Sequence, residues 1–147
     1  AFPEVRLKSF LEMRGADGGP WSRICALPAF WVGLLYDQQA LDAAWDLVKD
    51  WSMEEREKLR TDAPALGLNA PIPGGGTMRD LGQQALDIAR AGLTARGRLN
   101  GAGDNETGYL ETLDEIVKSG KVPAQRLLDA YEGEWGGDVG DVYKYSF

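Results

Sequence analysis

The chain of 147 residues contains no histidine. That absence removes serine–histidine and cysteine–histidine nucleophilic catalysis, and with them the imidazole ligands of most zinc sites. Cysteine is nearly absent as well: Cys25 stands alone, so no disulfide forms within the chain, and a reducing, cytoplasmic location is expected. Cations are in deficit, with 16 Lys and Arg against 23 Asp and Glu, a net charge of −7. An acidic chain offers no broad surface to nucleic acid or to anionic lipid, so neither is expected as a partner. Long apolar runs are missing too. The most apolar stretch, Ile24 to Tyr36, is interrupted by Pro28 and Gly33 and is too short to span a bilayer. What these absences leave open is carboxylate chemistry, including the ligation of a hard cation such as Mg²⁺.

The length suits one domain with a real core. Gly15 to Pro20, GADGGP, reads as a sharp loop, with Pro20 suited to a helix start. A helix buried on most sides is expected from Trp21 to about Tyr36, kinked or broken at Pro28. Gln38 to Trp51 follows a helical period, with Leu41, Ala44, Trp45 and Val48 recurring at three- and four-residue spacing. Ser52 and Glu55 have capping-box spacing, which predicts a helix from Met53 to about Thr61. Asp62 to Gly76 is rich in proline and glycine and reads as irregular. Further helices are predicted over 78–96 with Thr77 as cap, over 106–119 with Gly120 as stop, and from Pro123 to about Tyr131. On the third-from-last of these elements, 78–96, the inward stripe is Leu81, Ala85, Ile88 and Leu93. Leu99 to Asn105 reads as a flexible linker and Gly133 to Phe147 as packed coil.

The N-terminal decapeptide Val5 to Arg14 carries the chemistry. As a single β-strand it divides into two faces. Val5, Leu7, Ser9, Leu11 and Met13 suit a core, whereas Arg6, Lys8, Phe10, Glu12 and Arg14 form a charged row. Glu12 and Arg14 then stand about 7 Å apart on one face. That spacing suits an oxyanion held between a carboxylate-bound cation and a guanidinium. Arg6 and Lys8 read as a solvated face that could steer a nucleotide. A lone strand leaves its backbone groups unpaired, so it is expected to join a sheet whose other strands lie upstream. Together with a start at Ala1, which N-terminal processing would also produce, this leads to the expectation of a piece of a longer protein.

The run LEMRGADGGPW followed by CALPAFWVGLLYD, within Phe2 to Asp37, resembles the C-terminal region of glutamate–cysteine ligases of the branch shared by plants and many proteobacteria. Similarity continues through WSMEEREKLR, GGGTMRDLGQQAL and PAQRLLDAYEGEWGGDV. The resemblance implies an α+β class: a mostly helical fragment whose N-terminal strand belongs to a glutamine-synthetase-like antiparallel sheet. Residues 1–147 would be the C-terminal part of a ligase catalytic domain. The implied reaction is ATP-dependent ligation of the L-glutamate γ-carboxylate to the L-cysteine amine through γ-glutamyl phosphate, the first step of glutathione biosynthesis. Glu12 is implied as a Mg²⁺ ligand and Arg14 as the residue contacting the transferring phosphoryl group of ATP. Asp17 and Trp21 would line the amino-acid pocket.

Because the upstream part of the polypeptide supplies the other metal carboxylates in that family, this stretch alone is expected to be inactive. Two other readings remain: a γ-glutamyl ligase with another amine acceptor, of the ergothioneine-pathway type, and a non-catalytic helical module that binds a protein. Carboxylates converging on Glu12 favour an enzyme, and an isolated Glu12 in open water favours the module. Cys25, flanked by Ile24 and Ala26, reads as an inert buried thiol. Asp104, Asn105 and Glu106 lack EF-hand spacing and read as helix caps.

Overall fold

The structure, a computed structural model, describes residues 4–145. Phe2, where the family-like segment begins, and the last residues of the predicted C-terminal coil lie outside the described residues. Within the described residues the order is β1 (Val5–Leu7), β2 (Leu11–Met13), α1 (Trp21–Leu35), α2 (Gln38–Asp46), α3 (Met53–Leu66), α4 (Met78–Arg96), α5 (Glu111–Ser119), α6 (Pro123–Glu132) and α7 (Val142–Tyr145). Short 3-10 turns cover Gly67–Asn69, Glu106–Leu110 and Val139–Asp141. The α+β class holds. Among the described residues the sheet has two antiparallel strands, so a glutamine-synthetase-like sheet is not part of what is seen.

The N-terminal segment is therefore a hairpin and not one long strand. Val5 faces Met13, Arg6 faces Glu12 and Leu7 faces Leu11. The chain reverses over Lys8, Ser9 and Phe10, where the Lys8 amide donates to the Phe10 carbonyl at 2.9 Å. The Lys8 ammonium also lies 5.7 Å from the Phe10 ring centre. The backbone groups that a lone strand would leave unpaired thus find their partners on residues four to eight positions away. Alternation within each short strand survives the reversal, because directly paired residues share a face. Val5, Leu7, Leu11 and Met13 still occupy one side, with Arg6 and Glu12 on the other.

Helices α1 and α4 form the centre of the body. Gly33 of α1 and Gly92 of α4 let the two backbones touch: a Cβ on Gly92 would lie 1.9 Å from the Gly33 carbonyl oxygen. Around this crossing Leu34, Leu86, Leu93, Leu110 and Val117 make the core with Ala29 and Ala89. Phe30 and Trp31 pack against it edge to face, with ring centres 5.4 Å apart. The buried face of α4 is Leu86, Ala89, Gly92 and Leu93, whereas the predicted Leu81, Ala85 and Ile88 are half-buried beside it.

Pro28 does not break α1, which runs through it to Leu35. Pro28 and Ile24 both lie exposed, so the carbonyl that Pro28 leaves without its amide partner can take water instead. The same holds for the exposed Pro64, and α3 continues past the predicted end at Thr61 to Leu66. Helix α1 is not buried on most sides: Trp21 and Ile24 are exposed. Helix α2 ends at Asp46 and leaves Trp45 in solvent. Cys25 is half-buried.

Caps fix the remaining boundaries. The Ser52 hydroxyl accepts from the Glu55 amide, and the Glu55 carboxylate accepts from the Ser52 amide. Thr77 and Asp80 form the same reciprocal box at α4. Gly120 closes α5 with φ at 70°. Arg79 of α4 reaches across to the Val117 carbonyl at 2.6 Å and also to the Lys118 carbonyl, capping α5 from outside. Leu99–Asn105 is an organised turn, in which Asn100 accepts from the Ala102 and Asp104 amides and Leu99 bridges Asn105. Asn105 caps the next turn by accepting from Thr107. The predicted C-terminal coil contains α7, and Trp135 is buried.

Candidate functional site

The site is built on the hairpin and on the loop that leaves it. Glu12 sits in β2 directly opposite Arg6 in β1, and Arg6 Nε donates to Glu12 Oε2 at 2.5 Å. Both side chains are partly exposed, at 44% for Arg6 and 31% for Glu12, so the pair remains reachable from solvent. Arg14 follows one residue after β2, and its amide donates to the Glu4 carbonyl at 2.7 Å, which carries the ladder one step past the assigned strands. In the continued alternation, Arg14 falls on the Glu12 side. The Glu12 carboxylate is held by the Arg6 guanidinium.

The other face of the hairpin covers a cavity of about 580 Å³ between the strands and α1, α4 and α5. Val5 and Met13 form its roof, and Ile24, Phe30, Leu86 and Ile116 are among the apolar side chains below. Asp17 lines this cavity, together with Glu4 and Arg23. Trp21 is not among its lining residues and is 77% exposed at the start of α1. The expected amino-acid pair Asp17 and Trp21 is therefore not brought together on one cavity wall. Arg6 and Glu12 do not line the cavity either. The hairpin thus separates an apolar side, turned to the helices, from a charged side turned away from them.

Two residues matter here that sequence reasoning set aside. Arg6 is exposed, as expected of a solvated face, and the reversal at Ser9 also puts it across from Glu12. No glycine marks that turn, so its position carried no readable signal. Arg23 was not singled out. Its guanidinium packs so closely on the Gly15–Pro20 loop that a Cβ on Gly19 would lie 2.5 Å from its Nε.

Glu12 offers a hard carboxylate oxygen, the kind of donor Mg²⁺ takes. The number of donors is a different matter. Among the described residues no group of three or more Asp, Glu, His or Cys side chains is placed to hold a metal ion. The fit is one of kind and not of number. Among the described residues no helix is long and apolar enough to cross a membrane.

A family model described as glutamate-cysteine ligase family 2 (GCS2) matches residues 1–145. The glutamate–cysteine ligase, chloroplastic, of Arabidopsis thaliana is 50% identical over 143 residues, 97% of this chain and 26% of that protein. The glutamate–cysteine ligase A, chloroplastic, of Oryza sativa subsp. indica is 50% identical across 97% of this chain and 28% of its own length. The Nicotiana tabacum protein of the same description is 48% identical across 97% of this chain and 26% of its own length. The chain spans about a quarter of the length of the curated relatives it matches. All three relatives are described as chloroplastic, which overturns the cytoplasmic expectation and points to a plastid. A single cysteine reports a reducing environment and cannot tell one reducing compartment from another.

Proposed function

The chain belongs to glutamate-cysteine ligase family 2, and from that membership we propose that it is the C-terminal part of a ligase catalytic domain joining L-glutamate to L-cysteine with ATP. The observation that carries this reading is the pairing of identity and placement. A segment half identical to such ligases puts its Glu-x-Arg motif, Glu12 to Arg14, on the charged side of a hairpin. In the reaction, a γ-carboxylate oxygen of glutamate attacks the γ-phosphorus of ATP, and ADP leaves. The cysteine amine then attacks the acyl carbon of γ-glutamyl phosphate, loses its proton, and phosphate departs.

Phosphoryl transfer depends on positioning and on neutralising charge at the phosphate oxygens. Arg14 supplies a planar guanidinium whose paired N–H donors match two phosphoryl oxygens. Glu12 would supply one oxygen to a Mg²⁺, which would neutralise phosphate charge, and the rest of the polypeptide would have to supply the other ligands. Asp17, in the cavity lining, takes part in amino-acid binding, and its carboxylate suits a substrate ammonium group. Trp21 meets substrate where the rest of the polypeptide closes over the start of α1.

The hairpin is one part of a larger antiparallel sheet of the glutamine-synthetase kind. A two-stranded sheet is marginal by itself, and the exposed Leu7 and Leu11 extend its apolar face beyond the helices. By this reading residues 1–147 alone are inactive. The test is an assay of the full-length polypeptide for ADP release that requires both amino acids. Cysteine-dependent release with γ-glutamylcysteine as product supports the proposal. Release with another amine and none with cysteine assigns a different acceptor, and no release with any amine contradicts the ligase reading.

A further inference from the structure

We propose that Arg23 selects the acceptor amino acid by binding its α-carboxylate in the cavity beneath the hairpin, where Asp17 faces its ammonium group. The inference rests on the reading of Asp17 as an amino-acid contact. It deepens that reading by naming what the site takes: an α-amino acid zwitterion with a small, weakly polar side chain.

Four observations carry it. Arg23 and Asp17 line the same cavity, and among the described residues neither side chain has an ion-pair or hydrogen-bond partner. Arg23 is half-buried, so its guanidinium gives up part of its water with no counter-charge in return. Its seat is built by the loop: a Cβ on Gly19 would lie 2.5 Å from Arg23 Nε and 3.1 Å from Nη2, so the guanidinium occupies the space that a side chain there would need. Glu4, the third charged group of the lining, is near Arg60, whose pKa Glu57 first and Glu4 after it raise above the ordinary value. One cation and one anion are left without partners at a common cavity. That is the complement of an α-amino acid, whose carboxylate a guanidinium binds through paired donors.

The walls decide between the two substrates. Ile24, Leu27, Phe30, Leu86 and Ile116 are apolar. The thiol side chain of cysteine suits them, whereas the γ-carboxylate of glutamate would lose its water there without a partner. The site is also tied to the phosphoryl contact along the chain. Asp17 follows Arg14 by three residues, a reach of at most about 11 Å.

The experiment uses the full-length polypeptide with ATP and L-glutamate, and compares L-cysteine with cysteamine, which keeps the amine and the thiol but has no carboxylate. ADP release is read for both. The wild type is expected to prefer cysteine in kcat/KM by about 100-fold, the worth of a hydrogen-bonded charge. Arg23→Gln is expected to abolish that preference by raising the KM for cysteine, with the KM values for ATP and glutamate near wild type. Arg23→Lys, which keeps the charge without the paired donors, is expected to recover part of the preference. Asp17→Asn is expected to raise the KM for both amines, since both carry the ammonium group. A wild-type KM for cysteine in Arg23→Gln overturns the inference and leaves the ligase reading standing. So does a loss that falls equally on cysteine and cysteamine, which marks a structural role, and so does a rise confined to the KM for glutamate. If cysteamine is not turned over, the KM for cysteine set against that for glutamate decides the same question. If the wild type releases no ADP with any amine, the ligase reading falls, and the inference with it.

Discussion

Gly33 and Gly92 meet at the crossing of α1 and α4, where backbone of the facing helix fills the space that a side chain on either would need. A Cβ on Gly33 would lie 2.3 Å from the Ala89 carbonyl oxygen, and one on Gly92 would lie 1.9 Å from that of Gly33. Both obstacles are backbone, which cannot turn aside as a flexible side chain can. This contact sets where α1 starts relative to α4, and so where the Gly15–Pro20 loop delivers the hairpin. Gly92→Ala is expected to destabilise the fold by about 3 kcal/mol or more, although alanine is the better helix former. Chemical denaturation of the variant checks this, and a gain in stability would mean that the crossing is looser than described.

Thr77 and Asp80 give the chain a defined response to acid. The Thr77 hydroxyl first, and then its backbone amide, hold the Asp80 carboxyl below the usual carboxylate range. Lys121 and Gln125 do the same for Asp129. A lowered folded-state value means that the ionised carboxylate favours the fold. This contribution is fully present above the unfolded value of about 3.9 and disappears as pH falls through the lower folded value. Stability is therefore expected to drop in acid below about pH 4. In Asp80→Asn the slope of that drop should be shallower, as followed by melting temperature against pH. Thr77→Ala should cost about 1 kcal/mol at neutral pH through loss of the cap.

Arg14 is expected to act on the rate more than on binding. Replacement by lysine keeps the charge but removes the planar fork. In the full-length polypeptide, Arg14→Lys should lower kcat by about 100-fold, with a small change in the KM for ATP. Steady-state kinetics with saturating amino acids measures both. An unchanged kcat with a raised KM would make Arg14 a ground-state nucleotide contact.

Much of the helical frame was legible in the residues because capping chemistry is local. Ser52 with Glu55, Thr77 before Met78, Gly120 and Pro123 each announce a boundary within three or four positions, and the structure places α3 to α6 at or near them. The hairpin was not legible. Its reversal at Lys8 to Phe10 has no glycine or asparagine, and an alternating pattern reads the same whether the chain runs on or folds back. For that reason the face of Glu12 was legible while its pairing with Arg6 was not: Arg6 is six residues away in sequence and adjacent in space. Pro28 and Pro64 misled because proline ends helices where the freed carbonyl is buried, and here both lie exposed. The apolar stripe of α4 was legible in Leu93 and Ile88 but its centre was not, because the closest approach uses Ala89 and Gly92, residues that hydrophobicity alone does not favour.

The central claim is that the acid on the charged side of the hairpin serves catalysis and not folding. The most direct measurement is γ-glutamylcysteine formation by the full-length polypeptide carrying Glu12→Gln, taken beside its melting temperature. Product formation at background with unchanged melting is the predicted result. Normal turnover in that variant would contradict the account.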